Sequence, residues 1–130
     1  MKRAAFIFLL AIIFFVSCDD TVDTPEQALT VEDYTGNWFV EETCSKNSYT
    51  VSITEVPGDT VSVYIYNFAQ MGENTKALAS IDDDLITVLS QEIDGTTVHG
   101  TGTYSDGKIT WSYEINDGAD LFKCTAIYKK

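Results

Sequence analysis

Thr97-Val98-His99-Gly100-Thr101-Gly102-Thr103-Tyr104, then Ser105-Asp106-Gly107, then Lys108-Ile109-Thr110-Trp111-Ser112-Tyr113-Glu114-Ile115, is a β-hairpin legible in the sequence. In the second arm Ile109, Trp111, Tyr113 and Ile115 share one face, while Lys108, Thr110, Ser112 and Glu114 share the other. Strict alternation of this kind places one face in a core and the other in water. Asp106-Gly107 is a preferred type I′ pair, because both central residues of that turn need positive φ. A two-residue turn sets Gly102 opposite Trp111 and Gly100 opposite Tyr113. The first arm then turns Val98, Gly100, Gly102 and Tyr104 inward, and Thr97, His99, Thr101 and Thr103 outward. A three-residue loop without a bulge would place Tyr104 opposite Lys108 and break the pattern. Bulky rings lying over cross-strand glycines also pin the register.

The same reading extends along the chain. Tyr49, Val51 and Ile53 alternate with Thr50, Ser52 and Thr54. Short runs rich in Val, Ile, Thr, Tyr and Trp predict eight strands, near 37–43, 48–55, 61–67, 76–82, 85–90, 97–104, 108–115 and 122–129. The breaks carry turn chemistry, among them Pro57-Gly58-Asp59, Met71-Gly72-Glu73-Asn74, Asp94-Gly95 and Asp117-Gly118. Regular spacing of this kind predicts an all-β antiparallel sandwich or barrel. The expected architecture is an eight-stranded up-and-down meander barrel over 35–130, as one domain. In such a barrel the last strand lies beside the first, bringing Cys44 and Cys124 within disulfide reach. A two-sheet sandwich would also bring them together, whereas an open sheet would not.

The candidate interior comprises Trp38, Tyr49, Gly100, Gly102, Tyr104, Trp111 and Tyr113, with Ala77, Ala79 and Ala126 as small members. Eight strands sit at the size where side chains fill the barrel or leave room for one small ligand. In the third strand, Val61, Val63 and Ile65 facing inward would turn Tyr64, Tyr66 and Phe68 outward. With Phe39, outward by parity with Trp38, these three form a candidate partner surface.

Gly36-Asn37-Trp38 opens the first strand. A Gly-x-Trp there, followed by a meander of antiparallel strands, resembles the lipocalin and avidin group, the calycins. The resemblance implies that Trp38 plugs one end of the barrel beneath the last strand. Lipocalin strands and loops are longer, and a final Arg usually covers the Trp; here the chain closes with Ile127-Tyr128-Lys129-Lys130. The chain looks like a small bacterial lipocalin-like lipoprotein, which implies a fold and an anchor but no ligand.

The N-terminus supplies the second half of that comparison. Met1-Lys2-Arg3 precedes an apolar run from Ala4 to Val16, then Ser17-Cys18 and Asp19-Asp20. That run is shorter than the ~20 residues needed to span a bilayer, so it reads as an export signal over 1–17. Phe15-Val16-Ser17-Cys18 resembles a bacterial lipobox with Phe where Leu is preferred. By that resemblance Cys18 is acylated and attaches the protein to a membrane; the polar, acidic 18–34 reads as a tether, with Ala28-Leu29-Thr30-Val31 apolar enough to pack on the domain. The expected location is the bacterial cell envelope, lipid-anchored, most simply in the outer membrane on its periplasmic or outer side.

The formal charge of −12 removes the basic footprint that nucleic-acid partners require. Two thiols and the lone His99 do not complete a zinc site, and in an exported chain Cys44 and Cys124 pair as a disulfide. Asp82-Asp83-Asp84 reads as an acidic turn rather than a calcium site, which needs six or more oxygens. Glu41 and Glu42 are adjacent on a strand, point to opposite faces, and cannot act as a catalytic pair. No Gly-rich loop precedes a helix, and nothing indicates a cofactor or catalysis. The functional expectation is a binding module for a small hydrophobic ligand; the alternative is a packed-barrel subunit or inhibitor in an envelope complex. Labelling cells with a palmitate analogue will tag the wild-type protein and leave Cys18→Ala untagged; equal labelling of both would remove the anchor.

Overall fold

The computed structural model describes residues 27–130, so the export signal, Cys18 and most of the tether lie outside the described residues. Eight antiparallel strands run β1 (Gly36–Glu42), β2 (Ser48–Glu55), β3 (Ser62–Tyr66), β4 (Lys76–Asp82), β5 (Leu85–Ile93), β6 (Thr96–Ser105), β7 (Lys108–Asn116) and β8 (Leu121–Lys129). Each pairs with the next, and β1 pairs with β8, so the sheet is a closed up-and-down barrel and not a sandwich.

The β6–β7 register follows the sequence pattern: Gly102 faces Trp111, Gly100 faces Tyr113, and Asp106 and Gly107 take φ of 53° and 74° in the turn. Both strand glycines are required by proximity. A methyl group on Gly100 would overlap Tyr113 Cβ and stand 2.7 Å from the Ser112 carbonyl; on Gly102 it would lie 2.8 Å from Ile109 and Ile86. β6 therefore lies close enough to its neighbour for the Trp111 and Tyr113 rings to fill the barrel.

Closure rests on four β1–β8 rungs, Phe39–Lys129 through Glu42–Ala126. Just beyond them, the Thr43 and Thr125 amides donate to Thr125 O and Thr43 Oγ1, each at 3.0 Å. The Cys44–Cys124 disulfide follows, with Cα atoms 5.4 Å apart.

One end of the barrel is sealed. A single helical turn, α1 (Val31–Tyr34), lays Val31 and Tyr34 against the core. Trp38 Nε1 donates to Tyr34 O at 2.8 Å, and the Tyr34 hydroxyl donates to Asp83 O at 2.7 Å. The Lys130 ammonium stands 4.7 Å from the Trp38 ring and donates to Thr35 O at 2.9 Å. Lys130 thus covers the Trp38 ring at this end. Residues 31–34, expected in the tether, belong to the folded domain, because two apolar side chains one turn apart can be buried together on its end. Asp82-Asp83-Asp84 is the β4–β5 turn, with Asp83 Oδ1 accepting the Leu29 amide at 2.9 Å.

Three expectations for individual residues are corrected. Val61 is 56% exposed, since β3 starts only at Ser62. β5 runs three residues beyond its predicted end through a bulge between Val88 and Gln91. There the Gln91 amide replaces a ladder rung, accepting from Leu78 N at 2.8 Å and donating to Leu78 O at 2.9 Å. Phe68 is buried, not exposed (1%), because β3 ends at Tyr66 and Asn67 adopts a left-handed conformation that turns the chain inward. Tyr64 and Tyr66 are half-buried, with the Lys76 ammonium 4.0 Å and 6.0 Å from their rings. Phe39 remains on the outside at 46% exposure. Gly100→Ala will lower unfolding stability by about 3 kcal/mol through overpacking, whereas the exposed Thr101→Ala will stay within about 0.5 kcal/mol, both read from urea midpoints at constant slope.

Candidate functional site

Strand parity builds the site at the end opposite the sealed one. Trp38, Val40 and Glu42 share the inward face of β1, so the last of them brings a carboxylate to the barrel mouth. Glu41 points outward to Lys129, at 3.2 Å. Cys124, Ala126 and Tyr128 line the inward face of β8, and Tyr49 and Tyr113 come in from β2 and β7.

These side chains form one polar group within an apolar barrel. The Tyr49 hydroxyl donates to Glu42 Oε2. The Tyr128 hydroxyl and Trp111 Nε1 are buried without a hydrogen-bond partner, and the buried Tyr113 hydroxyl stands close to Glu42 and Tyr49 without a well-aligned hydrogen bond to either. Burial is the chief cause that raises all three phenol pKa values, with the Glu42 carboxylate adding in the same direction. A buried polar group without a partner costs about 1–3 kcal/mol. Two such hydroxyls near one carboxylate are an expensive arrangement for a core that needs only to be stable. Among the described residues Glu42 is absent from the ion pairs, which join Glu41, Glu114, Lys123, Lys129 and His99.

The rings that carry these polar atoms pack together with Phe68. Phe68 packs on Trp111 and Tyr113 with ring centroids 5.6 Å and 5.1 Å apart, and Trp111 packs on Tyr128 at 5.4 Å. The short 3₁₀ turn carrying Phe68 (Phe68–Gln70) is strained, since Asn67, Ala69 and Gln70 all hold φ between 55° and 62°. Beside it a cleft of about 320 Å³ opens to solvent, lined by Glu42, Ala69, Met71, Ile115, Asp117 and Phe122, with Cys44 at its edge. Glu42 is therefore shared by the buried phenol group and the open cleft.

Glu42, Cys44 and Cys124 lie close enough to suggest metal ligation, but the two sulfurs are bonded to each other and have no thiolate to offer. On the outer wall of β5–β7 another groove, of about 560 Å³, is lined by Thr87, Leu89, His99, Ser112, Tyr113 and Glu114. His99 Nε2 lies 2.8 Å from Glu114 there, an exposed pair of the kind worth at most about 1 kcal/mol.

Of the candidate interior residues, Trp38, Tyr49, Gly100, Gly102, Trp111 and Tyr113 lie inside, with Tyr104 half-buried at the sealed end against Tyr34 and Trp38. Tyr49, Trp111 and Tyr113 converge on the mouth. Sequence reasoning missed Glu42 and Tyr128, although counting by twos from Trp38 and from Cys124 reaches them. It misassigned Phe68, for which the sequence carries no parity signal once the strand has ended. Comparisons with protein-family models, characterised proteins and solved structures returned no match. Tyr128→Phe will leave stability unchanged or raise it by up to about 1 kcal/mol, while Tyr49→Phe will lower it by about 2 kcal/mol, because only the second hydroxyl serves a charged acceptor; equal losses in thermal or urea unfolding would contradict this assignment.

Proposed function

We propose that this protein is a lipid-anchored binding module of the bacterial envelope, holding a small ligand at the open end of its barrel. The observation that carries the reading is the convergence of buried, unpartnered phenols on a carboxylate that also lines an open apolar cleft. Binding sites are commonly concave and mostly apolar, with a few converging polar groups. Trp38, Trp111, Phe68, Tyr113 and Tyr128 fill the barrel axis, so the ligand site is the mouth rather than a deep central cavity. The acylated Cys18 and the acidic segment after it would tether the domain to a membrane by its sealed end, where Leu29 and α1 dock, with the outer membrane as the proposed address. No step in this reading requires catalysis or a cofactor.

A second reading has its own observation. Leu78 (46% exposed) pairs with Tyr64 across β3–β4, and the exposed Leu89 (64%) is joined to Leu78 through the Gln91 amide, an apolar patch suited to a protein partner in an envelope complex. Native mass spectrometry of the full chain after exposure to a small-molecule envelope extract separates the two. The wild type will retain a small organic adduct, and Met71→Arg, which fills the cleft, will lose it. A wild-type protein that stays bare would instead favour the Tyr64 face, where Leu78→Asp would abolish capture of a partner.

A further inference from the structure

Resting on that reading of the mouth, we infer that the ligand is an organic amine: an ammonium head against Glu42 and an apolar body in the cleft. Three observations select this class. First, the cleft presents two carboxylates, Glu42 and Asp117, and no basic residue lines it. In a chain of formal charge −12, an anionic ligand would meet repulsion there and find no counter-charge. Asp117 Oδ1 accepts the amides of Ala119 and Asp120 at 2.9 Å and 2.8 Å, and Glu42, the carboxylate beside the buried phenols, is the acceptor assigned to the ligand.

Second, the chemistry of the buried hydroxyls fits a donor. Tyr113 and Tyr128 both face the Glu42 carboxylate and have no hydrogen-bond partner. Each hydroxyl can donate its proton toward that carboxylate while its oxygen accepts from a ligand. A primary ammonium carries three N–H donors and so can meet Glu42 and both phenol oxygens. A neutral hydrocarbon would satisfy none of them. The aromatic rings gathered here, Phe68, Trp111, Tyr113 and Tyr128, also present π-faces that favour a cation.

Third, most of the remaining wall is apolar, with Ser45 and Thr96 as its hydroxyl-bearing positions. Ala69, Met71, Ile115 and Phe122 give the body of the ligand a hydrophobic seat beside the head. Two of these residues follow Phe68 on the strained turn, so a small rotation of that turn widens the approach to the phenols.

The test uses three probes of one shape: 2-phenylethylamine, 2-phenylethanol and phenylacetate. The full chain has two methionines, Met1 and Met71, so methyl labelling of methionine places a reporter in the cleft. The amine will shift the Met71 methyl resonance and bind at least about tenfold more tightly than the alcohol, and phenylacetate will bind most weakly. Glu42→Gln will remove the tenfold advantage, and Tyr113→Phe with Tyr128→Phe will weaken the amine about fivefold. An alcohol that binds as well as the amine, a preference for phenylacetate, or an undiminished amine affinity in Glu42→Gln overturns the amine assignment and leaves the cleft as a ligand site. No Met71 shift with any probe overturns both readings. Should Glu42→Gln not fold, the two tyrosine variants, which keep their rings, decide the matter.

Discussion

The pairing of β1 with β8 is the constraint on which the rest depends. An antiparallel sheet left open ends in two edges whose backbone donors and acceptors invite another chain. Closure removes both edges at once. Here it is achieved by four rungs, two further hydrogen bonds between Thr43 and Thr125, and a disulfide across a separation of 80 residues. A crosslink that spans so long a loop restricts the unfolded chain, an effect of up to about 4.5 kcal/mol in the chain-entropy description. The bridge sits at the mouth end of the seam, where hydrogen bonding between the two strands is finishing. Glu42 is the last paired residue of β1, so the staple also fixes the position of the carboxylate.

The two ends of the barrel are built on opposite principles. At the sealed end every buried polar group has found a partner: Trp38 Nε1 reaches Tyr34 O, and the Tyr34 hydroxyl reaches Asp83 O. A helical turn and the terminal lysine cover the opening. Toward the mouth, the buried Tyr113 and Tyr128 hydroxyls lack partners, a loop is held in left-handed geometry, and a carboxylate has no counter-ion among the described residues. Each of these features costs stability, and they occur together. Local violations of packing rules that cluster in one place mark a site under a second demand, here binding.

Packing explains why the mouth holds a cleft rather than a deep cavity. Strands of five to ten residues enclose a short barrel. Two tryptophans, four tyrosines and Phe68 are buried within it. Gly100 and Gly102 create the room for these rings by letting β6 approach β7 and β5 more closely than any side chain would allow. The space left over lies at the rim, between the Phe68 turn, the end of β7 and the start of β8.

The strand pattern, the β6–β7 register, the inward glycines and the eight-strand count could all be read from the sequence, because alternation and two-residue turns are local physics acting between neighbours. The same arithmetic, carried two residues further, would have reached Glu42 and Tyr128; at the end of a strand a charged residue reads as surface until the curvature of the closed sheet shows that it faces inward. The inward turn of Phe68 and the burial of Val31 and Tyr34 depended on tertiary structure, since both lie outside the strands, where period carries no information. Closure itself was open between barrel and sandwich, because both bring Cys44 to Cys124. Only the whole set of pairings, in which twist and stagger accumulate over eight strands until β8 meets β1, could decide it, and that sum is a property of no single segment.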